Sequence, residues 1–220
     1  MNEDLVGKLS KELGISANQV SREYWEMLIL KEISQSPLAE FLAFAGGTAL
    51  RLAYNSPRFS DDLDFYLKKK IPFSLFQKSV KAIAKKLDME ITDLFPKFNT
   101  FLAEFKIKED YLPLPFRIKI EVRKKILRKG LEPRLLVSPA VNFQVLLPTL
   151  TIEEIQKFKM EALENRKEPR DLFDLWFISQ QLRKPFKKPK RKIDPRILKR
   201  ELSKYLPQKF LPVINQLAKD

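Results

Sequence analysis

The stretch FLAFAGGTALRLAY at residues 41–54, taken with RFSDDLDF at residues 58–65, carries the strongest structural signal in this chain. The apolar run 41–45 stops at Gly46 and Gly47, a pattern typical of a buried strand or helix end that enters a tight turn. Residues 49–53 are mostly strong helix formers, so the turn is predicted to open a helix whose N-terminus favours an anion. Glycines at this turn would let backbone N–H groups approach a phosphate, and Thr48 would add a hydroxyl.

Asp62, Leu63, Asp64 and Phe65 alternate between acidic and apolar side chains. On a strand, both carboxylates then point to the same face, about 6.6 Å apart along the chain. Magnesium prefers oxygen ligands, and two metal ions roughly 4 Å apart can clamp the oxygens of a phosphoryl-type displacement. The alternative is an acidic surface turn that caps a strand. The short distance to the glycine turn favours the metal site.

Residues 117–122, RIKIEV, predict a neighbouring strand that offers a third carboxylate. Ile118, Ile120 and Val122 would form its apolar face, while Lys119 and Glu121 point the other way. Glu121 is therefore the candidate third metal ligand. A solvated edge strand with an Ile/Val core face fits the same pattern.

Composition limits the chemistry. The chain has 220 residues, 44% of them hydrophobic and 11% aromatic, enough for one large domain or a domain with a smaller helical appendage. Cysteine and histidine are absent, so any metal must be held by oxygen and no imidazole can act as a base.

No apolar stretch approaches the ~20 residues that span a bilayer, and residues 1–4 do not resemble a signal peptide. These features predict a cytoplasmic protein with no membrane association.

The net charge of +14 comes entirely from the second half of the sequence. Residues 1–116 hold 16 basic and 16 acidic residues, whereas residues 117–220 hold 26 and 12. Such asymmetry favours a polyanion, and nucleic acid is the commonest one. An anionic membrane or simple solubility would also account for it. In residues 183–192, seven of ten residues are basic, which indicates either a segment that follows a phosphate backbone or a solvated linker.

Periodicity along the chain predicts an α+β fold, with a small mixed β-sheet flanked by helices and a helical C-terminal part. A core of residues 1–145 with N-terminal helices would precede a basic helical region, residues 146–220, that completes the active site. Ser16 is the predicted cap of the first helix and Pro37 lies beyond its end. The predicted helices are residues 20–30, 72–87, 152–165, 169–178 and 199–206, and the further predicted strands are residues 91–94 and 100–107.

The helix at residues 152–165 would place Lys159, and Arg166 just beyond it, on an otherwise apolar stripe with Ile155 and Leu163. Burying a charge is costly unless it is paired, so both cations are expected to meet anions at a cleft. Snorkelling of their long stems over the core is the alternative. On the next helix, Asp171 lies in the first turn, where capping or pairing with a neighbouring arginine would also account for it.

Four elements occur in an order that resembles the AbiEii/AbiGii toxin family of nucleotidyltransferases, from about Tyr24 to Trp176. The matching elements are GGTAL at 46–50, RFSDDLDF at 58–65, KMEAL at 159–163 with Arg166, and RDLFDL at 170–175. The resemblance implies a sheet like that of DNA polymerase β-type transferases. It also implies that many such proteins are toxins of toxin–antitoxin or phage-defence pairs, some of which add nucleotides to the 3′ end of tRNA.

The resemblance also assigns roles to residues. It implies that Gly46, Gly47 and Thr48 bind nucleotide phosphates and that Asp62 and Asp64 bind magnesium. Lys159 and Asp171 match residues taken to be essential, and Arg166 matches a phosphate-side arginine. Arg58 and Ser60 belong to the matching motif and are further candidates for nucleotide binding.

The sequence thus predicts a magnesium-dependent nucleotidyltransferase, with two Mg²⁺ ions, that moves a nucleotide from an NTP to a tRNA-like RNA and has a cognate antitoxin. Glu121, Asp171 or the metal environment would take the proton from the attacking hydroxyl. Two other classes stay open. One is a catalytically silent nucleic-acid-binding module, and the other is a nucleotidyltransferase that acts on a small molecule or a protein.

Overall fold

The computed structural model describes residues 1–165, 168–186 and 193–218. Within them a seven-stranded mixed sheet is accompanied by eight α-helices, so the predicted α+β class is confirmed. The strands are β1 Leu42–Ala45, β2 Asp62–Leu67, β3 Glu90–Pro96, β4 Thr100–Ile107, β5 Phe116–Ile126, β6 Leu131–Leu136 and β7 Val145–Leu150. The helices are α1 Glu3–Leu13, α2 Ala17–Ser34, α3 Gly46–Tyr54, α4 Phe73–Lys86, α5 Ile152–Asn165, α6 Pro169–Gln181, α7 Pro195–Leu202 and α8 Leu211–Ala218.

The strand order is β3-β4-β5-β2-β1-β7-β6. β2 pairs parallel with β5 and β1 pairs parallel with β7, while the other neighbours are antiparallel. β5 therefore lies inside the sheet, between β4 and β2, and is not the edge strand that its sequence also allowed. This central position places its side chains directly beside those of β2.

The period of two along β2 and β5 divides the sheet into an apolar face and a charged face. Leu63, Phe65, Ile118 and Ile120 are buried in the main core, where α2 packs beside β5 and α4 packs beside β3 and β4. The carboxylates of the other face, Asp62, Asp64 and Glu121, are half-buried. The charged face is where a site can form, because burying its carboxylates completely would be costly.

Most of the predicted elements are present. α2 begins after Ser16, whose side chain accepts a hydrogen bond from the Gln19 N–H, so the predicted cap is confirmed. The strand predicted at 100–107 has the bounds of β4. The helix predicted at 199–206 was wrong, because α7 begins at Pro195, where Asp194 caps it, and ends at Leu202.

The structure bears on two further predictions. The predicted domain boundary after residue 145 falls inside β7, a strand of the same sheet as the predicted core. Of the basic run 183–192, residues 187–192 lie outside the described part of the chain.

Among the helices of the described residues, none combines the length and the apolar character that a membrane span requires.

Candidate active site

The turn between β1 and α3 packs directly against β2. Gly46 has φ +79°, a left-handed conformation that favours glycine, and a Cβ there would overlap the carboxylate of Asp64. A Cβ on Gly47 would overlap the Arg58 guanidinium and come within 2.7 Å of Ser60 Oγ. Both glycines are therefore required by close approach of the neighbouring chain. The turn brings five of the residues predicted for nucleotide or metal binding together.

The helix that leaves this turn has no side-chain cap. Ala45 is the N-cap residue of α3 and forms no capping hydrogen bond. The first N–H groups of a helix need partners, and with the helix dipole they attract an anion. An uncapped N-terminus beside Asp64 therefore suits a phosphate that approaches together with a cation.

The two aspartates of β2 lie on one face of the sheet, as predicted. Asp64 is in register with Ala45 on β1 and with Glu121 on β5, and Asp62 is in register with Lys119. Glu121 thus lies directly beside Asp64 on the same face. Thr48 uses its hydroxyl to donate a 2.5 Å hydrogen bond to the backbone carbonyl of Asp62, which ties the turn to the strand.

The carboxyl groups of β2 are held in an environment that disfavours their charge. Burial raises the pKa of Asp62, and burial raises the pKa of Asp64 to about 6, although the charges of Arg123 and Lys159 oppose the shift at Asp64. Desolvation is the dominant cause at both residues. A bound cation would offset it, since an opposite charge favours the ionised form.

The donor set fits magnesium better than a metal that needs a complete protein cage. No group of three or more Asp, Glu, His or Cys side chains in the described residues is arranged to hold a metal by itself. Magnesium commonly takes one or two carboxylates and completes its shell with water and substrate phosphates. Asp62 and Asp64, with Glu121 beside them and an anion site at the glycine turn, provide such a partial set.

A buried ion network lies behind the site. Arg58 donates from Nε and Nη2 to the two carboxylate oxygens of Asp174, at 2.7 and 2.8 Å. Lys159 Nζ lies 2.8 Å from Asp171 Oδ1 and 2.6 Å from Asp174 Oδ2. Burial alone would raise the pKa of Asp174, but the charges of Arg58 and Lys159 outweigh it and lower the pKa to about 2. The network joins the 58–61 loop to helices α5 and α6.

The network identifies the groups that neutralise Lys159 and Arg58, two of the predicted substrate-binding cations. Lys159 meets anions as expected, and these anions are the side chains of Asp171 and Asp174 on α6. Arg58 is fully buried, and its guanidinium also donates to the Phe59 carbonyl at 2.7 Å. Its three bonding nitrogens therefore face the protein. Arg166 lies outside the described residues.

Two cavities flank the aspartate pair. The Asp64 cavity has a volume of about 290 Å³ and is lined on one side by Gly46 and Lys159. Tyr66 and Phe158, stacked with their ring centroids 4.7 Å apart, form another part of its wall. The Asp62 cavity is larger, about 500 Å³, and is lined by Arg22, Asp61, Asp62, Glu104, Lys106, Pro115, Arg117 and Lys119.

Asp61 and Tyr205 are site residues that the sequence did not indicate. Tyr205 donates from its hydroxyl to Asp61 Oδ2 at 2.5 Å, and its carbonyl accepts from the Phe59 N–H at 2.9 Å. Arg170 lies 5.3 Å from the Tyr205 ring centroid, and Arg22 Nε lies 3.3 Å from Asp61 Oδ1. The segment after α7 thus anchors the loop that leads into Asp62. A contact across 144 residues leaves no local signal in the sequence.

A glycine turn at a helix N-terminus, packed on a strand of a mixed sheet that carries two half-buried aspartates on one face, defines a nucleotidyltransferase-type site. The family profile described as "Nucleotidyl transferase AbiEii toxin, Type IV TA system" matches residues 28–215. The chain belongs to this family of nucleotidyltransferase toxins of type IV toxin–antitoxin systems, and the family resemblance predicted from the motifs is confirmed.

Solved structures agree with this fold. JHP933 from Helicobacter pylori is 24% identical, with a TM-score of 0.55 over 76% of this chain and 68% of that one. A second H. pylori protein, described as a candidate nucleotidyltransferase, is 23% identical, with a TM-score of 0.55 over 76% of this chain and 70% of that one. At this identity the likeness establishes the fold. The curated proteins contain no match to the chain.

Proposed function

We propose that this enzyme transfers a nucleotidyl group from a nucleoside triphosphate to a hydroxyl of a tRNA-like RNA, with magnesium as cofactor. The observation that carries the proposal is the contact between the glycine turn and β2. There, Asp64 lies so close to Gly46 that a side chain would not fit between them. A cation held by Asp62 and Asp64 and a phosphate held at the start of α3 would therefore share one small volume.

The residues of the chain would divide the work as follows. The N–H groups at Gly46 and Gly47 would bind the triphosphate, with Ser60 beside them. Asp62 and Asp64, with Glu121, would hold one or two magnesium ions. When bound, magnesium would supply neutralisation of the charge that develops on the phosphoryl oxygens.

The attacking hydroxyl must lose a proton, and the chain has no histidine to take it. The new bond forms between the hydroxyl oxygen and the α-phosphorus, and the bond from the α-phosphorus to the bridging oxygen breaks to release pyrophosphate. Glu121 is half-buried beside Asp64 and makes no ion pair among the described residues, so it is our candidate acceptor of the proton. Asp171 is committed to Lys159, which favours a positioning role.

Within the buried network, Lys159 would contact the substrate, and the other charged residues would hold Lys159 in place. Lys159 lines the Asp64 cavity, where its charge would face the triphosphate. Asp171 and Asp174 fix its ammonium, and Arg58 in turn fixes Asp174. We therefore assign Arg58, Asp171 and Asp174 to positioning, and Lys159, with Arg166, to the triphosphate. Positioning of this kind accounts for much of the rate of phosphoryl transfer.

The partners follow from charge and family. The excess of basic residues after residue 116 favours an RNA acceptor, and the type IV toxin–antitoxin family favours a cognate antitoxin encoded with the enzyme in a cytoplasmic system. Incubation with each of four α-labelled NTPs, Mg²⁺ and tRNA should label RNA with at least one nucleotide, and chelation of the metal should abolish labelling. Label found only in protein would contradict the RNA acceptor.

Replacement of Gly46 by alanine should lower kcat by about 10²-fold, because the new methyl group would displace the Asp64 carboxylate by a substantial part of an ångström. The matched control is Gly7→Ala on α1, where an added Cβ meets nothing within 4 Å. Steady-state transfer rates for both variants make the test. Equal rates for the two would mean that the turn does not constrain Asp64.

Replacement of Tyr205 by phenylalanine should raise the magnesium concentration that gives half-maximal activity by several-fold. Without the hydroxyl, the Asp61 carboxylate is freed from its 2.5 Å hydrogen bond and can turn towards Asp62, where it would compete for the cation. Tyr24→Phe, which removes a hydroxyl from α2, is the control. A magnesium dependence identical to that of the wild type would exclude a positioning role for Tyr205.

A further inference from the structure

The two cavities are lined by different members of the aspartate pair. Asp64 lines the smaller one, together with Gly46 and Lys159, and Asp62 lines the larger one. In an in-line displacement the attacking and leaving oxygens stand on opposite sides of the phosphorus. If the triphosphate and its leaving pyrophosphate occupy the Asp64 cavity, the Asp62 cavity is the one available to the acceptor.

The Asp62 cavity is lined by four cations that converge from three elements. Lys119 and Arg117 come from β5, Lys106 from β4 and Arg22 from α2. The register of the sheet brings them together, since Lys119 pairs with Asp62 and Arg117 pairs with Lys106 across their strands. Alternation on neighbouring strands therefore builds a cationic wall at the entrance to the catalytic carboxylates.

Three of these four cations already have a carboxylate partner within 4 Å. Asp61 lies 3.3 Å from Arg22 and also accepts from Tyr205, Glu104 lies 3.5 Å from Arg117, and Glu90 lies 3.1 Å from Lys106. Asp62 is in register with Lys119, but the carboxylate of Asp62 would be occupied by the cation. Lys119 makes no ion pair within 4 Å in the part of the chain that the structure describes, and it is only half-buried.

We infer that Lys119 binds a backbone phosphate of the acceptor RNA next to its attacking hydroxyl. This inference rests on the proposed function, because it requires the triphosphate to occupy the Asp64 cavity. A phosphodiester suits the site chemically, since each contact to an RNA phosphate releases counterions and fixes the register of the strand.

The test compares Lys119→Ala, Lys119→Arg and a control, Lys69→Ala, which removes an exposed lysine that lines another groove. For Lys119→Ala we expect the KM for RNA to rise roughly tenfold and the salt slope of RNA binding to fall by about 1. The KM for NTP should not change. Lys119→Arg should restore most of the RNA affinity, and Lys69→Ala should resemble the wild type in all three measurements.

Binding is also measured directly, by fluorescence anisotropy of a labelled single-stranded RNA with a free 3′ hydroxyl. An unchanged RNA affinity in Lys119→Ala would overturn the inference, and so would a rise in the KM for NTP alone, which would assign the cavity to the donor. Transfer to protein that is insensitive to Lys119 would overturn it as well. RNA binding that depends on Lys119 in an enzyme that transfers no nucleotide would support the inference and contradict the proposed function.

Discussion

Asparagine in place of Asp64 should lower the rate of nucleotidyl transfer by about 10³-fold or more, because the variant keeps the shape of the side chain and loses the charge that holds the cation. The residue lies at the junction of the glycine turn, β2 and Glu121. No other described carboxylate occupies that junction from the β1 side. The rate is measured with labelled NTP and RNA at saturating magnesium.

The same substitution should make the protein more stable in the absence of ligands. Burial raises the pKa of Asp64 to about 6, so at pH 7 the folded protein holds a charged group in a place that favours a neutral one. A neutral amide removes this cost, and we expect the melting temperature of Asp64→Asn to rise by a few degrees. Asp93→Asn, at an exposed position of β3, is the control. A variant that is both less active and less stable would indicate misfolding rather than a lost ligand.

The second large effect concerns stability. Asp174→Asn should lower the free energy of unfolding by about 3–5 kcal/mol, because it leaves the buried Arg58 without its carboxylate partner and Lys159 with only Asp171. For a chain of this size that corresponds to a fall in melting temperature of roughly 10 °C. Denaturant unfolding of the wild type, Asp174→Asn and the exposed control Asp93→Asn measures it.

The double variant Arg58→Met/Asp174→Leu separates stability from function. Replacing both partners of a buried ion pair with apolar groups of similar size often restores stability, whereas activity should stay low, because Lys159 has lost one of the two anions that fix it. Recovery of both stability and activity would show that the pair has no positioning role. Equal stability of Asp174→Asn and the wild type would contradict the importance of the network.

Low pH should weaken the buried ion network around Asp174 as the pH falls from 3.8 to about 2. The pKa of Asp174 is lowered from 3.8 to about 2 in the folded protein, so the unfolded chain takes up a proton first as the pH falls. The stability that this carboxylate contributes is complete above pH 3.8 and is lost as the pH falls through 2. Asp174→Asn should therefore lack this part of the acid dependence.

Local patterns predicted much of the fold. Alternation was enough for β4 and for the charged face of β2 and β5, because a strand repeats every two residues whatever surrounds it. The glycine turn and its two aspartates were also recognisable, since close packing of a turn requires glycine. β6 was missed because Pro133 and Glu132 interrupt an apolar pattern, and it pairs as an edge strand with β7 alone.

The partners of the charged residues could not be predicted in the same way. Lys159 was expected to meet an anion, yet only the folded chain identifies Asp171 and Asp174 as those anions. Arg58 and Asp174 are 116 residues apart, and Asp61 and Tyr205 are 144 apart. Such contacts depend on how α6 and the segment after α7 dock on the sheet. No periodicity in a single sequence records that docking.

The most direct test of the account is a calorimetric titration of a non-hydrolysable NTP into the wild type, Asp62→Asn and Asp64→Asn, with and without Mg²⁺. We predict that the wild type binds the nucleotide much more tightly when magnesium is present and that both variants lose this dependence. Equal, magnesium-dependent affinity in all three proteins would contradict the claim that the two aspartates hold the cation against the triphosphate.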